Sequence, residues 1–547
     1  MAQTPGPGRQ SATRQGMRRD VGRLGLLFVG VGAIIGSGWL LGAPAAAQLA
    51  GPASTLAWVI GAVMIGIVGL VYAELGTMFP IAGAVVRFPH FTHGALTSFS
   101  VGWVSWLVAV SLGPVEVEAT LQYMTNYLPF LTRVSGGTPV LTAAGYGVAA
   151  GLLLVFSLIN IVGIRTFART NTVVVWWKLA VIALFVATLL VLAFNPHHFT
   201  SPGGFMPYGP HGVFSAIATA GIAFSYFGFR QGIELAGESR NPQRTVPLSI
   251  LASLGIALVL YLLVQIAFLG ALPDKALADG WAGLHFSNFF GPLAGLAQLL
   301  GLTWLAGILY ADAVVSPAGT GLVYTTATAR ISYAMGRSET APGALAKISG
   351  RGVPWVSVVI TFAAGLLILL PFPSWQKLAA FLVAANVVSF GSGPVALLAL
   401  RRELPDHPRP FRLPAAPIIA FLAFYASNLL VYWVGWSTNW KMFVALGIGF
   451  VVLAVDQVRR RSRPRLAWRQ FSWMAGWLAG LVLISALGSF GGGAGLITFA
   501  ISFPLIAVFS AAILWWGVAV RFPRDQVVAQ LERFAGNELA TGNERDA

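Results

Sequence analysis

The stretch FSYFGFRQGIELAGESRNPQRTVP, residues 224–247, combines features that rarely occur together in one membrane helix. Within about three turns it places Gly228, two phenylalanines, Arg230 and two glutamates behind an apolar run. Unwound backbone at membrane depth survives only where it lines protein or a cavity, because lipid cannot satisfy free N–H and C=O groups. Residues 225–229 are therefore predicted to interrupt a spanning helix and to turn backbone groups towards a ligand. A glycine-kinked helix with a charged end is the alternative interpretation.

The composition of the whole chain is that of a membrane protein. Of its 547 residues, 56% are hydrophobic and only 10% are charged, which lies far outside the usage of soluble domains. Apolar runs of about 20 residues recur along nearly the whole chain, so a polytopic all-α protein in a lipid bilayer is predicted. The absence of cysteine excludes disulfides and thiolate metal sites. Residues 1–21 are polar and basic without an apolar h-region, so the first span is expected to remain as an anchor.

Fourteen spans are predicted from the apolar runs. Their limits are 22–43, 54–78, 97–125, 140–163, 172–194, 213–237, 247–271, 296–330, 354–372, 378–400, 416–437, 440–457, 471–489 and 496–520.

The distribution of basic residues predicts the orientation of these spans. With the N-terminus in the cytoplasm, 28 of the 34 Lys and Arg residues fall on the cytoplasmic side. Four lie on the extracellular side, Arg133, Lys275, Lys377 and Lys441, and the remaining two, Lys178 and Arg230, lie within spans. The chain is therefore expected in a bacterial plasma membrane, with both termini in the cytoplasm. The spread of positive charge over many loops also argues against reading the net charge of +16 as nucleic-acid binding.

The first span contains a second candidate break at Gly36-Ser37-Gly38. Its run GVGAIIG superficially resembles a dinucleotide fingerprint, but no strand precedes it and an apolar span surrounds it. Close helix packing through small residues is the structural alternative. Two interrupted spans that each open a set of five indicate internal duplication, and inverted repeats of this kind place substrate at the midplane between spans 1 and 6. The predicted organisation is a cytoplasmic tail 1–21, a first five-helix repeat 22–194, a second repeat 213–400, peripheral spans 416–520 and a cytoplasmic tail 524–547.

Four motifs in this order resemble the amino acid–polyamine–organocation (APC) permeases. They are IIGSGWL (34–40), YAELGTMFPIAGA (72–84), SYFGFRQGIELAGESRNPQRTVP (225–247) and TATARISYAMGR (326–337). The segment FPHFTHGALTSFSVGWVSW (88–106) and the Phe-Arg pair after the second break resemble the aspartate–proton symporter-like members. Spans 13 and 14 exceed the twelve spans usual in that family.

The resemblance implies a substrate site at the two breaks. Backbone amides of the first break would bind the substrate α-carboxylate, as a half-helix N-terminus with free N–H groups suits an anion. Carbonyls of the second break would bind the α-ammonium, and one aromatic of Tyr226, Phe227 and Phe229 could act as a gate. The substrate-binding candidates are Ile35, Gly36, Ser37, Gly38, Phe224, Ser225, Tyr226, Phe227, Gly228 and Arg230.

Lys178, near the start of span 5, is the first candidate for proton coupling. A lysine within a span costs about 2.5–3.5 kcal/mol on insertion scales, so it calls for a functional reason or for snorkelling to the interface. The family resemblance implies that this lysine takes the place of a sodium ion. Protonated, it would hold the broken part of span 1 through its carbonyls, and neutral, it would release them.

Three intramembrane acids are further proton-coupling candidates: Glu116, Glu118 and Asp312. Glu116 and Glu118 are separated by about 200° on a helix, so both face one cavity only if Pro114 distorts the turn. Asp312 shares a helix face with Ser316, four residues later. A closed ion pair of one of these acids with Arg230 or Lys178 is the alternative. The remaining polar candidates are Glu74, Glu234 and Glu238 for a gate near the cytoplasmic side, and Asn386 as a lining residue.

Arg230 is the candidate for substrate specificity, because its fork suits bidentate binding of a second carboxylate. The predicted function is therefore secondary, proton-coupled transport of an amino acid, with aspartate or glutamate as candidate substrates and without enzyme activity, cofactor or metal. The absence of GxxxxGK[ST] excludes ATP hydrolysis through a phosphate loop. Amino acid–amine exchange, an amino acid-sensing receptor on the same fold, and a channel are the alternatives, and short tails argue against the receptor.

Overall fold

A computed structural model describes residues 23–81, 83–135, 138–162, 164–234, 236, 239–284, 291–337, 347, 354–459 and 466–543. The predicted Glu238 lies outside these residues. Helices make up nearly all of the regular structure, and a short antiparallel hairpin, β1 (Thr132–Ser135) and β2 (Thr138–Leu141), connects the third and fourth spans.

The helices follow the order of the predicted spans. The first repeat region contains α1 (Arg23–Ile34), α2 (Gly38–Ala50), α3 (Ser54–Met78), α4 (Ala84–His93), α5 (Ala95–Met124), α6 (Ala143–Val162) and α7 (Ile164–Leu192). The second contains α8 (Gly209–Thr219), α9 (Ile222–Tyr226), α10 (Arg230–Glu234), α11 (Pro242–Gly270), α12 (Pro292–Leu299), α13 (Thr303–Arg337), α14 (Trp355–Leu369) and α15 (Trp375–Glu403). The last part contains α16 (Ala416–Val434), α17 (Trp436–Arg459), α18 (Trp468–Leu487), α19 (Phe499–Ala519) and α20 (Arg524–Asn543).

The prediction of a polytopic helical membrane protein is confirmed. Among the described residues, 11 helices are long and apolar enough to cross a membrane, or up to 12 if the bent pair α8 and α9–α10 forms one span. The number fourteen and the division into inverted repeats stay predictions.

The first break lies where the sequence places it. α1 ends at Ile34, the chain unwinds over three residues, and α2 begins at Gly38. Trp39, directly after the break, is fully buried, so the interruption lies inside the protein and not at its surface. This burial agrees with the requirement that unwound backbone at membrane depth be shielded from lipid.

The second break begins earlier in the chain than predicted. The sharp bend, of 48°, separates α8 from the helical segment that starts at Ile222, and Gly221 at the bend has a φ of 85°. Glycine adopts this left-handed conformation at no steric cost, which explains why the chain turns there. The predicted segment 225–229 instead contains the end of α9 and a single 3-10 turn, Phe227–Phe229.

The two breaks lie against each other. A Cβ atom at Gly228 would collide with the backbone of α1 at Ala33 and Ile34, and one at Gly38 would collide with the Ser225 side chain. Gly228, around which the sequence placed the break, therefore allows the close approach of two backbones and does not form the bend itself.

The last spans are packed into the same body as the rest. Gly391 of α15 contacts the ring of Trp477 of α18, and His93 at the end of α4 bonds the carbonyl oxygen of Gly517 of α19 at 2.9 Å. Asn428 of α16 joins the helices through its amide: it accepts from the indole of Trp477 at 2.7 Å and donates to Ser510 of α19 at 2.8 Å.

Replacing Gly228 by alanine tests the contact between the breaks. Gly228→Ala is expected to lower the free energy of unfolding by about 1–3 kcal/mol, because the added methyl group forces α1 and the 3-10 turn Phe227–Phe229 apart. Gly255→Ala is the matched control, since a Cβ there meets nothing within 4 Å. The unfolding temperature in detergent measures both, and equal stability of the two variants would contradict the close approach.

The amide of Asn428 is expected to stabilise the packing of α18 and α19. Asn428→Ala leaves the buried indole N–H of Trp477 without its acceptor, which costs about 1–3 kcal/mol. Ser427→Ala serves as the control, because the Ser427 hydroxyl donates to the carbonyl of Ala423 in its own helix and has no hydrogen bond to another helix among the described residues. A thermal shift no larger for Asn428→Ala than for Ser427→Ala would show that the amide does not hold these helices together.

Candidate functional site

The carbonyl end of α1 is held by side chains from three other helices. A helix leaves its last C=O groups without helical partners, and here they lie in the protein interior. The Lys178 ammonium, from α7, donates to the carbonyl of Ile35 at 2.6 Å and that of Gly32 at 3.4 Å. The hydroxyl of Tyr261, from α11, donates to Ile34 at 2.8 Å, and that of Tyr324, from α13, donates to Ala33 at 3.3 Å.

The contacts of Lys178 match the hydrogen-bonding capacity of an ammonium. Besides the two carbonyl oxygens, its Nζ donates to Thr320 Oγ1 at 2.7 Å, so all three hydrogens of an ammonium have an acceptor. A neutral amine has one donor fewer. Lys178 is also buried, with 1% of its surface exposed, so these contacts and not the solvent stabilise its charge.

Glu116 of α5 lies on the opposite side of the same unwound turn. Its Oε2 accepts from the backbone N–H of Ser37 at 2.9 Å. The carboxylate also abuts Gly36, where a Cβ would collide with it. The cation therefore lies at the carbonyl end of α1 and the anion at the amide end of α2, as the two helix dipoles favour.

A small cavity lies between the two breaks. Its wall consists of Ala33, Ile34, Gly36, Gly38, Val108, Leu112, Glu116, Phe224, Phe227, Gly228, Arg230, Tyr324 and Asn386. Two polar atoms of lining residues are buried and have no partner among the described residues: Nη1 of Arg230, a donor, and Oδ1 of Asn386, an acceptor. Buried polar atoms are nearly always paired in proteins, so these two mark the cavity as a site for a polar ligand.

Arg230 is only partly engaged. Its Nε donates to Glu234, one turn later on α10, at 3.0 Å, and its guanidinium lies 5.6 Å from the centroid of the Phe390 ring. Arg230 forms its ion pair with Glu234, and not with Glu116, Glu118 or Asp312, which the sequence left open as its partners. Glu234, predicted to belong to a gate near the cytoplasmic side, is thus engaged one turn along its own helix. Nη1 of the guanidinium has no partner among the described residues, so it can bind a ligand.

The other residues predicted to bind substrate separate into two groups. Phe224 and Phe227 line the cavity. Tyr226 points away from it, because its hydroxyl donates to the carbonyl of Trp58 at 3.1 Å and its ring packs on Trp58 and Tyr261. Ser225 donates back to Gly221 at 2.8 Å within its own helix. Of the three aromatics considered as a gate, only Phe227 lines the cavity, whereas Phe229 stacks on Phe390.

The other intramembrane acids do not join the Lys178–Glu116 turn directly. Asp312 accepts from Ser316 at 2.7 Å, as their spacing predicts, and from the indole of Trp177 at 2.9 Å. Both oxygens of Glu118 are buried without a partner among the described residues. Glu116 lines the cavity described above, and Glu118 is not among its lining residues.

Contacts on both sides separate the cavity from the surface. On the predicted extracellular side, the Trp375 indole donates to the Ser37 hydroxyl at 2.8 Å. On the predicted cytoplasmic side, Tyr72 donates to the carbonyl of Phe390 at 3.1 Å. Further along α3, Glu74 accepts two bonds from Arg401, at 2.8 Å and 2.6 Å, so it belongs to an ion pair between helix ends and not to the cavity.

Several residues at the site were missed by sequence reasoning: Tyr261, Thr320, Tyr324 and Trp375. The available signal was a polar or amphipathic side chain at mid-span, because a buried hydroxyl or indole N–H requires a partner. Within the described part of the chain, no three His, Asp or Glu side chains lie together so as to hold a metal ion.

Comparison with known proteins agrees with this geometry. The family model "Amino acid permease" matches residues 21–454. The chain is 35% identical to a glutamate/serine transporter, AimA, of Bacillus subtilis over 96% of its length and 99% of the relative. It is 32% identical to an aspartate-proton symporter of the same organism over 94% of its length and 99% of the relative. A branched-chain amino acid permease, BcaP, is 31% identical over 80% of this chain and 92% of that protein. The chain is an integral membrane protein and a member of the amino acid permease family.

Proposed function

We propose that this permease carries an acidic amino acid, glutamate or aspartate, together with a proton across the bacterial plasma membrane. The observation that carries this proposal is the buried, unpartnered Nη1 of Arg230 at the edge of a cavity whose other end is the amide turn at Ser37. Two relatives that cover nearly the whole chain are described as a glutamate/serine transporter and an aspartate-proton symporter, which supports the same substrate class.

The cavity offers a complementary group for each charge of such a substrate. The amide and hydroxyl of Ser37 would receive the α-carboxylate, because a helix N-terminus favours an anion. The α-ammonium would bind Oδ1 of Asn386 and the carbonyls near Gly228, and the side-chain carboxylate would bind the free edge of Arg230. A charged hydrogen bond contributes about 1.5–3 kcal/mol, enough to distinguish an acidic side chain from a neutral one.

Glu116 couples the substrate to a proton in this scheme. Its carboxylate occupies the donors that the substrate α-carboxylate needs, so the substrate has to displace it. The displaced carboxylate is buried and has lost its donors, and a lone charge there is costly. It therefore takes up a proton as the substrate binds, and it returns to Ser37 without that proton after the substrate leaves.

Lys178 keeps the turn in place during this exchange. Its ammonium holds the carbonyls of α1 and is the cation that balances Glu116 or, after displacement, the substrate carboxylate. Alternating access would then arise from movement of the predicted repeats 22–194 and 213–400 around the turn, with both termini in the cytoplasm.

Lys178→Ala tests the coupling. The variant is expected to lose stimulation of uptake by an inward proton gradient while it still exchanges labelled aspartate, because Glu116 without its cation stays neutral and no longer releases its proton. Uptake into proteoliposomes, with and without the gradient, measures the effect. The exposed Lys275→Ala is the control. An unchanged gradient response in Lys178→Ala would move the proton site to Asp312 or Glu118.

Arg230→Met tests the substrate class. Affinity for glutamate and aspartate is expected to fall about 10- to 100-fold, whereas transport of serine, which has no second carboxylate, changes little. Glu234→Gln is the matched control, because it removes the ion pair but keeps the guanidinium.

Competition for labelled uptake by each unlabelled amino acid measures these affinities. Equal losses for acidic amino acids and serine in Arg230→Met would indicate a structural role for Arg230. Wild-type uptake of neutral or cationic amino acids, but of neither glutamate nor aspartate, would overturn the substrate class and leave the family unchanged.

A further inference from the structure

Trp375 lies beside the cavity on its predicted extracellular side, against the lining residue Phe224. It is the first residue of α15, its side chain is almost fully buried, and its ring lies edge-on to Phe224 with the centroids 5.9 Å apart. The ring also lies against Gly221, where a Cβ would collide with it. The bend of the second break therefore leaves the space that the indole fills.

The hydrogen bond between Trp375 and Ser37 has a fixed direction. An indole N–H can only donate, so the Ser37 oxygen accepts this bond, of 2.8 Å. The hydrogen of the Ser37 hydroxyl is then left for another acceptor, and the Glu116 carboxylate lies beside it, bound to the backbone N–H of the same residue. The chain of contacts thus runs from Trp375 through Ser37 to the Glu116 carboxylate.

The members of this chain come from three parts of the fold. Trp375 belongs to α15, Ser37 to the unwound turn between α1 and α2, and Glu116 to α5. The bond between Trp375 and Ser37 forms only when the start of α15 lies over that turn. The orientation of the Ser37 hydroxyl and the closing of this side therefore occur together.

We propose that Trp375 is a positioning residue, which orients the Ser37 hydroxyl towards the substrate α-carboxylate as it covers the site. The proposal rests on the proposed function in one respect: the carboxylate of a bound amino acid replaces Glu116 at Ser37. One side chain, Trp375, then both covers the cavity and fixes the direction in which the Ser37 hydroxyl donates its hydrogen bond. Since every α-amino acid has this carboxylate, Trp375 acts on all substrates alike, unlike Arg230.

Trp375→Phe separates the hydrogen bond from the filling of space, because phenylalanine keeps an aromatic ring and removes the N–H. The KM for glutamate, aspartate and serine is expected to rise about tenfold, by a similar factor for each, with a smaller change in the maximal rate. Trp281→Phe is the matched control. Trp281 is equally buried and also donates its indole N–H, but to the carbonyl of Pro202 at 3.1 Å and not to the site.

A double-mutant cycle with Ser37→Ala tests whether Trp375 acts through Ser37. The conclusion then does not depend on a single variant. Ser37→Ala alone is expected to raise the KM for all three amino acids, and Trp375→Phe is expected to add no further increase in that background. An unchanged KM in Trp375→Phe, or independent, additive effects of the two substitutions, would overturn the proposal.

Failure of the proposed function has a different signature. If the wild type transports serine but no acidic amino acid, the role proposed for Arg230 is wrong. The KM for serine still tests the role of Trp375. A rise confined to the acidic substrates would contradict the role of Trp375 at the α-carboxylate. If the wild type binds no α-amino acid, both proposals are wrong.

Discussion

The arrangement of the site depends on the way the backbone of α1 ends inside the protein. A helix that stops at mid-membrane exposes carbonyl oxygens that neither lipid nor its own next turn can satisfy. Here α7, α11 and α13 each provide a donor, Lys178, Tyr261 and Tyr324, for consecutive carbonyls of that end. The position of α1 is therefore tied to three helices at one point, and a change at any of these donors changes the support of the turn.

The charges at this point follow from the same backbone. The carbonyl end of α1 favours the Lys178 ammonium, and the amide start of α2 favours the Glu116 carboxylate. The two side chains balance each other across three residues of unwound chain without touching the lipid. In the proposed cycle, a substrate with a carboxylate would enter this arrangement by replacing an existing anion, and charge balance would link its binding to a proton.

The sequence predicted the family, the helical membrane fold and the first break, because Gly36-Ser37-Gly38 within an apolar span is a strong local signal. At the second break, a 3-10 turn interrupts the helix within the predicted residues 225–229, but the sharp bend lies earlier. Two glycines were available, and only the three-dimensional structure shows that Gly221 forms the bend while Gly228 forms a contact. The sequence left the partner of Arg230 open for a related reason. Several acids competed for it in the sequence, and Glu234, one turn away on the same helix, pairs with it. Tyr261, Tyr324 and Trp375 were missed because an aromatic residue in a span usually packs against lipid or neighbouring helices, and only the partner of its polar atom distinguishes it.

The central claim is that a bound amino acid displaces Glu116 from Ser37 and that Glu116 then takes up a proton. Its most direct test is the uptake of protons during titration of the purified protein with glutamate or aspartate in weakly buffered detergent solution. The account predicts that the wild type takes up about one proton per bound amino acid, and that Glu116→Gln binds the amino acid with no proton uptake. Binding to the wild type without proton uptake, or the same uptake by Glu116→Gln, would contradict it.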